Sequence, residues 1–165
     1  MSKIFLDLDG VVFDFDGTFE RKFGVHPSIY KDNKKRIWQT IAAEHNFFSE
    51  MDLMPGAVDL FYQAVYWAEE SNEKLNILTA CPHSAFAHVA AQKRLGLSKR
   101  FHQSEWFMIP TWGSETKPQY MHAPGDVLID DWRKNTEAWA AAGGRSIKYE
   151  NAAQAIAELR ELEHF

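Results

Sequence analysis

Cysteine is nearly absent: Cys81 stands alone among 165 residues. One thiol cannot close a disulfide within the chain, and it rules out a cysteine-rich zinc site. No stretch reaches the roughly 18 apolar residues that a membrane helix requires, and no charged-then-apolar leader precedes the first strand-like run. These absences set the expectation of a cytoplasmic protein that meets no membrane. Bases are outnumbered, 18 against 23 acids with a net charge of −5, so the chain lacks the clustered positive surface that coats nucleic acid polymers. Lys31 to Arg36 is the one basic cluster and reads as a solvated helix face, with phosphate attraction as the alternative. The seven histidines show no HExxH spacing, and no GxxxxGK[ST] phosphate loop occurs. A cysteine phosphatase would need an arginine six positions after Cys81, where Ala87 stands.

What is present is an alternation. Short apolar runs at 3–8, 75–79, 106–109, 126–130 and 145–149 are mostly separated by helical patterns, which predicts a parallel sheet with crossover helices. Pro55-Gly56 opens a helix whose apolar face carries Ala57, Phe61, Ala64, Val65 and Ala68. Further helices are predicted from about Ser84 to Leu95 before Gly96, from Asn135 to Ala142 before Gly143-Gly144, and from Ala152 to Glu163. Residues 14–54 break the rhythm with helical, aromatic and charged segments and no convincing strand. They read as a small helical cap, 14–54, inserted into a core of 1–13 and 55–165. Its aromatic residues suit either a ligand cleft or the packing of the cap itself.

Two acids, Asp7 and Asp9, interrupt the first apolar run. Buried unpaired carboxylates are costly, so the pair asks for a cation, and at i and i+2 of an extended chain the two should converge on one point. Leu75 to Thr79 ends in a hydroxyl, Lys117 lies in a polar loop, and Asp126 to Asp131 ends in an acid pair. In a parallel sheet these ends share the edge where open α/β folds bind ligands. Each residue type has a task in phosphoryl transfer. Asp7 can attack phosphorus and form an acyl phosphate, while Asp9 can protonate the departing oxygen and later take a proton from water. Mg2+ held by Asp7, the Asp9 carbonyl and Asp130 would let two anions meet. Thr79 and the amides after it, beginning with Ala80, can grip phosphoryl oxygens, and Lys117 supplies positive charge.

The ordered set Asp7/Asp9, Thr79, Lys117 and Asp130/Asp131 resembles the four motifs of the haloacid dehalogenase superfamily of phosphatases. Within it the chain is most similar to the 5′(3′)-deoxyribonucleotidases, through Asp7-Leu8-Asp9-Gly10-Val11 with Phe15, Asn46-Phe47-Phe48 before Pro55-Gly56-Ala57-Val58, and Leu128-Ile129-Asp130-Asp131. The resemblance implies a three-layer α/β/α Rossmann-like core with a helical cap after the first strand. It also implies a magnesium-dependent hydrolase of nucleoside monophosphates, with a small-molecule nucleotide as partner and a homodimer as the candidate assembly. Phe15, Trp38 and Phe48 fall where the family's base-contacting aromatics lie, and Ala80 and Asp131 join them on the substrate side. Ala80 replaces the family's usual serine, and Trp132 and Glu115 stand where it has arginines. A sugar phosphate or other small metabolite as substrate, a phosphomutase or phosphotransferase, and a non-catalytic phosphate-binding scaffold are the alternatives.

Overall fold

The computed structural model describes residues 2–162. Strands β1 (Ile4–Leu6), β2 (Leu75–Cys81), β3 (Trp106–Trp112), β4 (Val127–Asp130) and β5 (Arg145–Lys148) form one parallel sheet in the order β3-β2-β1-β4-β5. Helices α1 (Phe15–Phe23), α2 (Lys35–Ile41), α3 (Ala57–Glu70), α4 (Phe86–Ser98), α5 (Arg133–Ala141) and α6 (Ala152–Glu161) complete it. Neighbouring strand residues face opposite sides. Ile4, Leu6, Ile77 and Ile129 therefore enter the larger core with Leu60 and Phe61 of α3, Leu97 of α4 and Leu159 of α6. Phe5, Leu78 and Leu128 pack instead on Trp139 of α5. The central strands β1, β2 and β4 are buried on both faces and show continuous apolar runs, whereas the edge strands β3 and β5 are only partly buried. Pro110 can sit inside β3 because that strand is at the sheet's edge, where a missing amide donor breaks no ladder.

Helix ends differ more. α4 does not stop before Gly96 but runs on to Ser98. Gly96 is there for space: a Cβ at this position would lie 3.1 Å from the Phe48 carbonyl oxygen and 3.4 Å from Ser49. The glycine marks a close approach between α4 and the 48–50 turn, not a terminus. α5 begins at Arg133, two residues early, and α6 ends at Glu161, while Glu163, the expected end of the last helix, lies outside the described residues.

Residues 14–54 hold α1, α2 and 3-10 turns at Pro27–Tyr30 and Phe48–Glu50. The two ends of the segment lie side by side, because Asp14 N–H donates to the Asp52 carbonyl at 2.8 Å and Met54 N–H to the Val12 carbonyl at 2.9 Å. α4 ties down the return limb. Gln92 Oε1 accepts from Phe48 N–H at 3.1 Å, and Arg100, just past the helix, donates to the Met51 carbonyl at 2.6 Å. Phe19 and Phe47 are fully buried against Phe15 and Phe23, in a mixture of stacked, tilted and edge-on contacts, so these rings pack the segment. Among the described residues no helix is long and apolar enough to cross a membrane.

Candidate active site

β1 lies between β2 and β4, at the point where the chain reverses the direction in which it adds strands. Open α/β sheets bind ligands at such a switch point, beyond the strands' carboxyl ends. Asp7 follows β1 there, its amide held by the Ile129 carbonyl at 3.0 Å. Its carboxylate meets Lys117, whose Nζ lies 2.9 Å from Asp7 Oδ1 and 2.6 Å from Asp130 Oδ2. Lys117 comes from the 3-10 helix Ser114–Tyr120 after β3 and is 1% exposed. Asp130, at the end of β4, is fully buried, and Asn135 Nδ2 at 3.0 Å and the Trp132 amide at 2.8 Å also donate to it.

Three carboxylates crowd this point. Burial pushes the Asp7 carboxyl up, to about 8; Lys117 pulls the other way, while Asp130, Asp131 and Asp9 add repulsion. Asp131 is pushed up to about 6 by burial and by Asp130, against the pull of Lys117. Burial alone would lower the Lys117 ammonium, but Asp7 and Asp130 hold it above the ordinary lysine range. One lysine does not discharge the cluster. Asp7, Asp130 and Asp131 can offer ligand atoms within 4.8 Å of one another. An all-oxygen, carboxylate-rich set suits a hard divalent cation such as magnesium. Asp131, expected on the substrate side, belongs to this group by geometry.

Asp9 does not share that point. The Leu8 carbonyl accepts from the amides of Val11, Val12 and Phe13, so the chain wraps just beyond β1 and the i, i+2 rule of extended strands no longer holds. The two acids pair with different lysines, while the Asp9 charge still bears on Asp7 and Asp131. Asp9 Oδ2 lies 2.8 Å from the Nζ of Lys93, which also donates to Thr79 Oγ1 at 2.9 Å and to the Ala80 carbonyl at 2.8 Å. Lys93 has no counterpart among the sequence-predicted residues. The sequence signal for it is its place on α4, four residues after Val89 and four before Leu97, both buried. Gly10 makes the turn with φ +81°, and a Cβ there would lie 2.2 Å from Asp131 Oδ2.

Beside Asp9, Gly10 and Asp131 opens a cavity of about 440 Å3, walled by Phe15, Ile37 and Trp38 with Asp14, Asp16 and Lys34 at its sides. Phe15 and Trp38 therefore stand next to the acids. Phe48 lies behind them: it is 2% exposed, packs near the Lys93 ammonium and lines a neighbouring cavity of about 460 Å3, which shares Trp38 as a wall. Lys31 to Arg36 is exposed throughout, with Lys34 at the first cavity's rim. Cys81, at the end of β2, is buried, and burial pushes its thiol up, which suits a bystander.

No protein-family model matches the chain, and no curated protein matches it by sequence. Solved structures do resemble it. A hydrolase from Streptococcus pneumoniae TIGR4 superposes with a TM-score of 0.55 at 12% identity over 96% of this chain and 97% of that one. D,D-heptose 1,7-bisphosphate phosphatase from Burkholderia thailandensis gives 0.50 at 8% identity over 98% and 100%. The chain shares with them a Rossmann-like α/β fold built on a five-stranded parallel sheet. At such identities the likeness concerns architecture, and the narrower similarity to deoxyribonucleotidases stands on the sequence motifs alone.

Proposed function

We propose that the protein is a phosphomonoesterase that works through an aspartyl phosphate and acts on nucleoside monophosphates, with residues 14–54 as the cap that selects them. The observation that carries this reading is Asp7 at the switch point, paired with buried Lys117 and grouped with Asp130 and Asp131. In the first step a carboxylate oxygen of Asp7 bonds to phosphorus as the bond to the leaving oxygen breaks. That oxygen keeps the electron pair and takes a proton from Asp9. Water then attacks phosphorus, gives its proton to Asp9, and frees Asp7 and inorganic phosphate. Lys117 and the Thr79 hydroxyl stabilise the charge spread over the phosphoryl oxygens. Asp7, Asp130 and Asp131 would hold a magnesium ion, which supplies charge neutralisation between nucleophile and phosphate when bound.

Two features of the large cavity bear on the substrate. Phe15 and Trp38 offer ring faces for a base, whereas Asp14 and Asp16 offer carboxylates that accept from sugar hydroxyls, which favours a sugar phosphate as the second reading. Phosphate release from a panel of nucleotides, sugar phosphates and an aryl phosphate, with magnesium and with chelator, separates them. Trp38→Ala should lower kcat/KM for nucleotides about tenfold to a hundredfold, the scale of one lost stacking contact, and change the aryl phosphate far less. Equal losses would make Trp38 a packing residue and leave the sugar phosphate ahead. Turnover undiminished by exhaustive chelation would defeat the metal-assisted scheme.

Gly10 tests the metal set from the backbone. Gly10→Ala puts a methyl group where the Asp131 carboxylate now packs, at a φ that L residues rarely adopt. Its apparent magnesium affinity should fall about tenfold to a hundredfold, the effect typical of disturbing a ligand's support. Calorimetric titration of magnesium into parent and variant reads this directly, and an unchanged affinity would remove Asp131 from the set.

A further inference from the structure

Lys93 is 1% exposed in the middle of an apolar helix face. An ammonium group has three donors and no acceptor. All three are used at ordinary distances, on Asp9 Oδ2 at 2.8 Å, Thr79 Oγ1 at 2.9 Å and the Ala80 carbonyl at 2.8 Å, and Nζ lies 5.3 Å from the centre of the Phe48 ring. Because Lys93 can only donate, Thr79 Oγ1 must accept from it. The hydroxyl's own proton is then left to point at another acceptor. On Asp9 the lysine occupies Oδ2, while Oδ1 is buried and has no hydrogen-bond partner among the described residues. A buried carboxylate oxygen without a partner is uncommon and calls for an explanation.

We infer that Lys93 is a positioning residue that orients the acid–base carboxylate of Asp9 and the phosphate-gripping hydroxyl of Thr79 together. Resting on the phosphatase reading above, the inference assigns the two oxygens of Asp9 different work. Oδ2 is the anchor, fixed by the ammonium, and Oδ1 is the atom that gives its proton to the leaving oxygen and recovers one from water. The same ammonium turns the Thr79 proton outward to a phosphoryl oxygen. Lys117 serves the nucleophile and its neighbours, and Lys93 serves the proton path. A lysine kept only for the fold would have no reason to contact both residues of one reaction step, and a leucine would fill the position between Val89 and Leu97 without any buried charge.

Substrates that differ in their need for protonation separate the roles. Nitrophenyl phosphate has a good leaving group and needs little help from Asp9, whereas an alkyl phosphate depends on it. Lys93→Met should lower kcat/KM for the alkyl ester about a hundredfold, within the usual range for a general acid, and for the nitrophenyl ester by about tenfold or less. In an Asp9→Asn background the same substitution should affect the two esters equally, because the group it orients is gone. Lys93→Arg, which keeps charge and donors, should retain the parent's ratio between the esters; with Lys93→Gln it keeps the test usable if Lys93→Met does not fold. Equal losses on both esters in the parent background, or an unchanged ratio with Lys93→Gln, would overturn the inference and make Lys93 a structural residue. A parent that hydrolyses neither ester would instead defeat the phosphatase reading from which the inference starts.

Discussion

Asp7→Asn is expected to lower phosphate release by about 10³-fold or more while leaving the protein folded and melting close to the parent. The two halves of this expectation come from the same surroundings. An amide is a poor nucleophile toward phosphorus and a weak ligand for a hard cation, so both tasks assigned to Asp7 fail together. For stability the substitution removes one partner of a 2.9 Å ion pair with Lys117, which taken alone is destabilising. Against that stand burial and the like charges of Asp130, Asp131 and Asp9, which together raise the Asp7 carboxyl to about 8 despite the lysine. The folded site therefore disfavours a charge at this position on balance, and a neutral isostere gives up little. Lys117 also keeps Asp130 at 2.6 Å as its partner. Phosphate release within a few-fold of the parent would sink the aspartyl-phosphate mechanism, whereas loss of the folded state would mean that the Lys117 pair outweighs the repulsion around it.

How much of this was readable beforehand follows from which signals survive in a sequence. The central strands are legible because burial on both faces turns them into apolar runs, and acids at the ends of two such runs have few bland explanations. Asp7 and Asp130 stand out that way, Lys117 only by its place in the motif order within a polar loop, and Lys117 lies within hydrogen-bond distance of both acids. The separate destination of Asp9 was not legible, since it depends on the Leu8 carbonyl collecting three amides in a tight wrap after β1. Gly96 misled for a related reason. A glycine near a helix's end reads as a terminus, and only the backbone of Phe48 and Ser49 reveals that it is a point of contact. Lys93 escaped because Ala90-Ala91-Gln92-Lys93-Arg94 has the look of a solvated helix face, and one lysine in an apolar stripe is a faint departure from it. The aromatic residues of 14–54 could not be sorted into packing and lining roles, because short helices and 3-10 turns carry too few periods to say which way each ring points.

The largest loss of stability is expected from Lys117→Met. The methionine fits the volume, but it leaves Asp7 and the fully buried Asp130 facing each other without a cation. Removing one partner of a buried ion pair typically costs about 3–5 kcal/mol, because the group left behind keeps its desolvation penalty. For a chain of this size each kcal/mol lowers the melting temperature by about 2–4 °C, so a fall of about 6–20 °C follows. Asp130 retains Asn135 and the Trp132 amide as donors, which softens the loss without replacing the charge. Two additions make the cause identifiable. Asp130→Asn in the Lys117→Met background should recover part of the melting temperature, since it removes a stranded carboxylate. Magnesium should raise the melting temperature of Lys117→Met by more than it raises the parent's, because a cation bound by the folded form alone stabilises it by mass action and here has no lysine to compete with. Thermal melts of the parent, the single variant and the double variant, each with magnesium and with chelator, read all three effects. A single variant that melts within 2–3 °C of the parent, or one indifferent to magnesium, would show that the carboxylate cluster discharges itself by protonation and does not depend on the cation that Lys117 supplies.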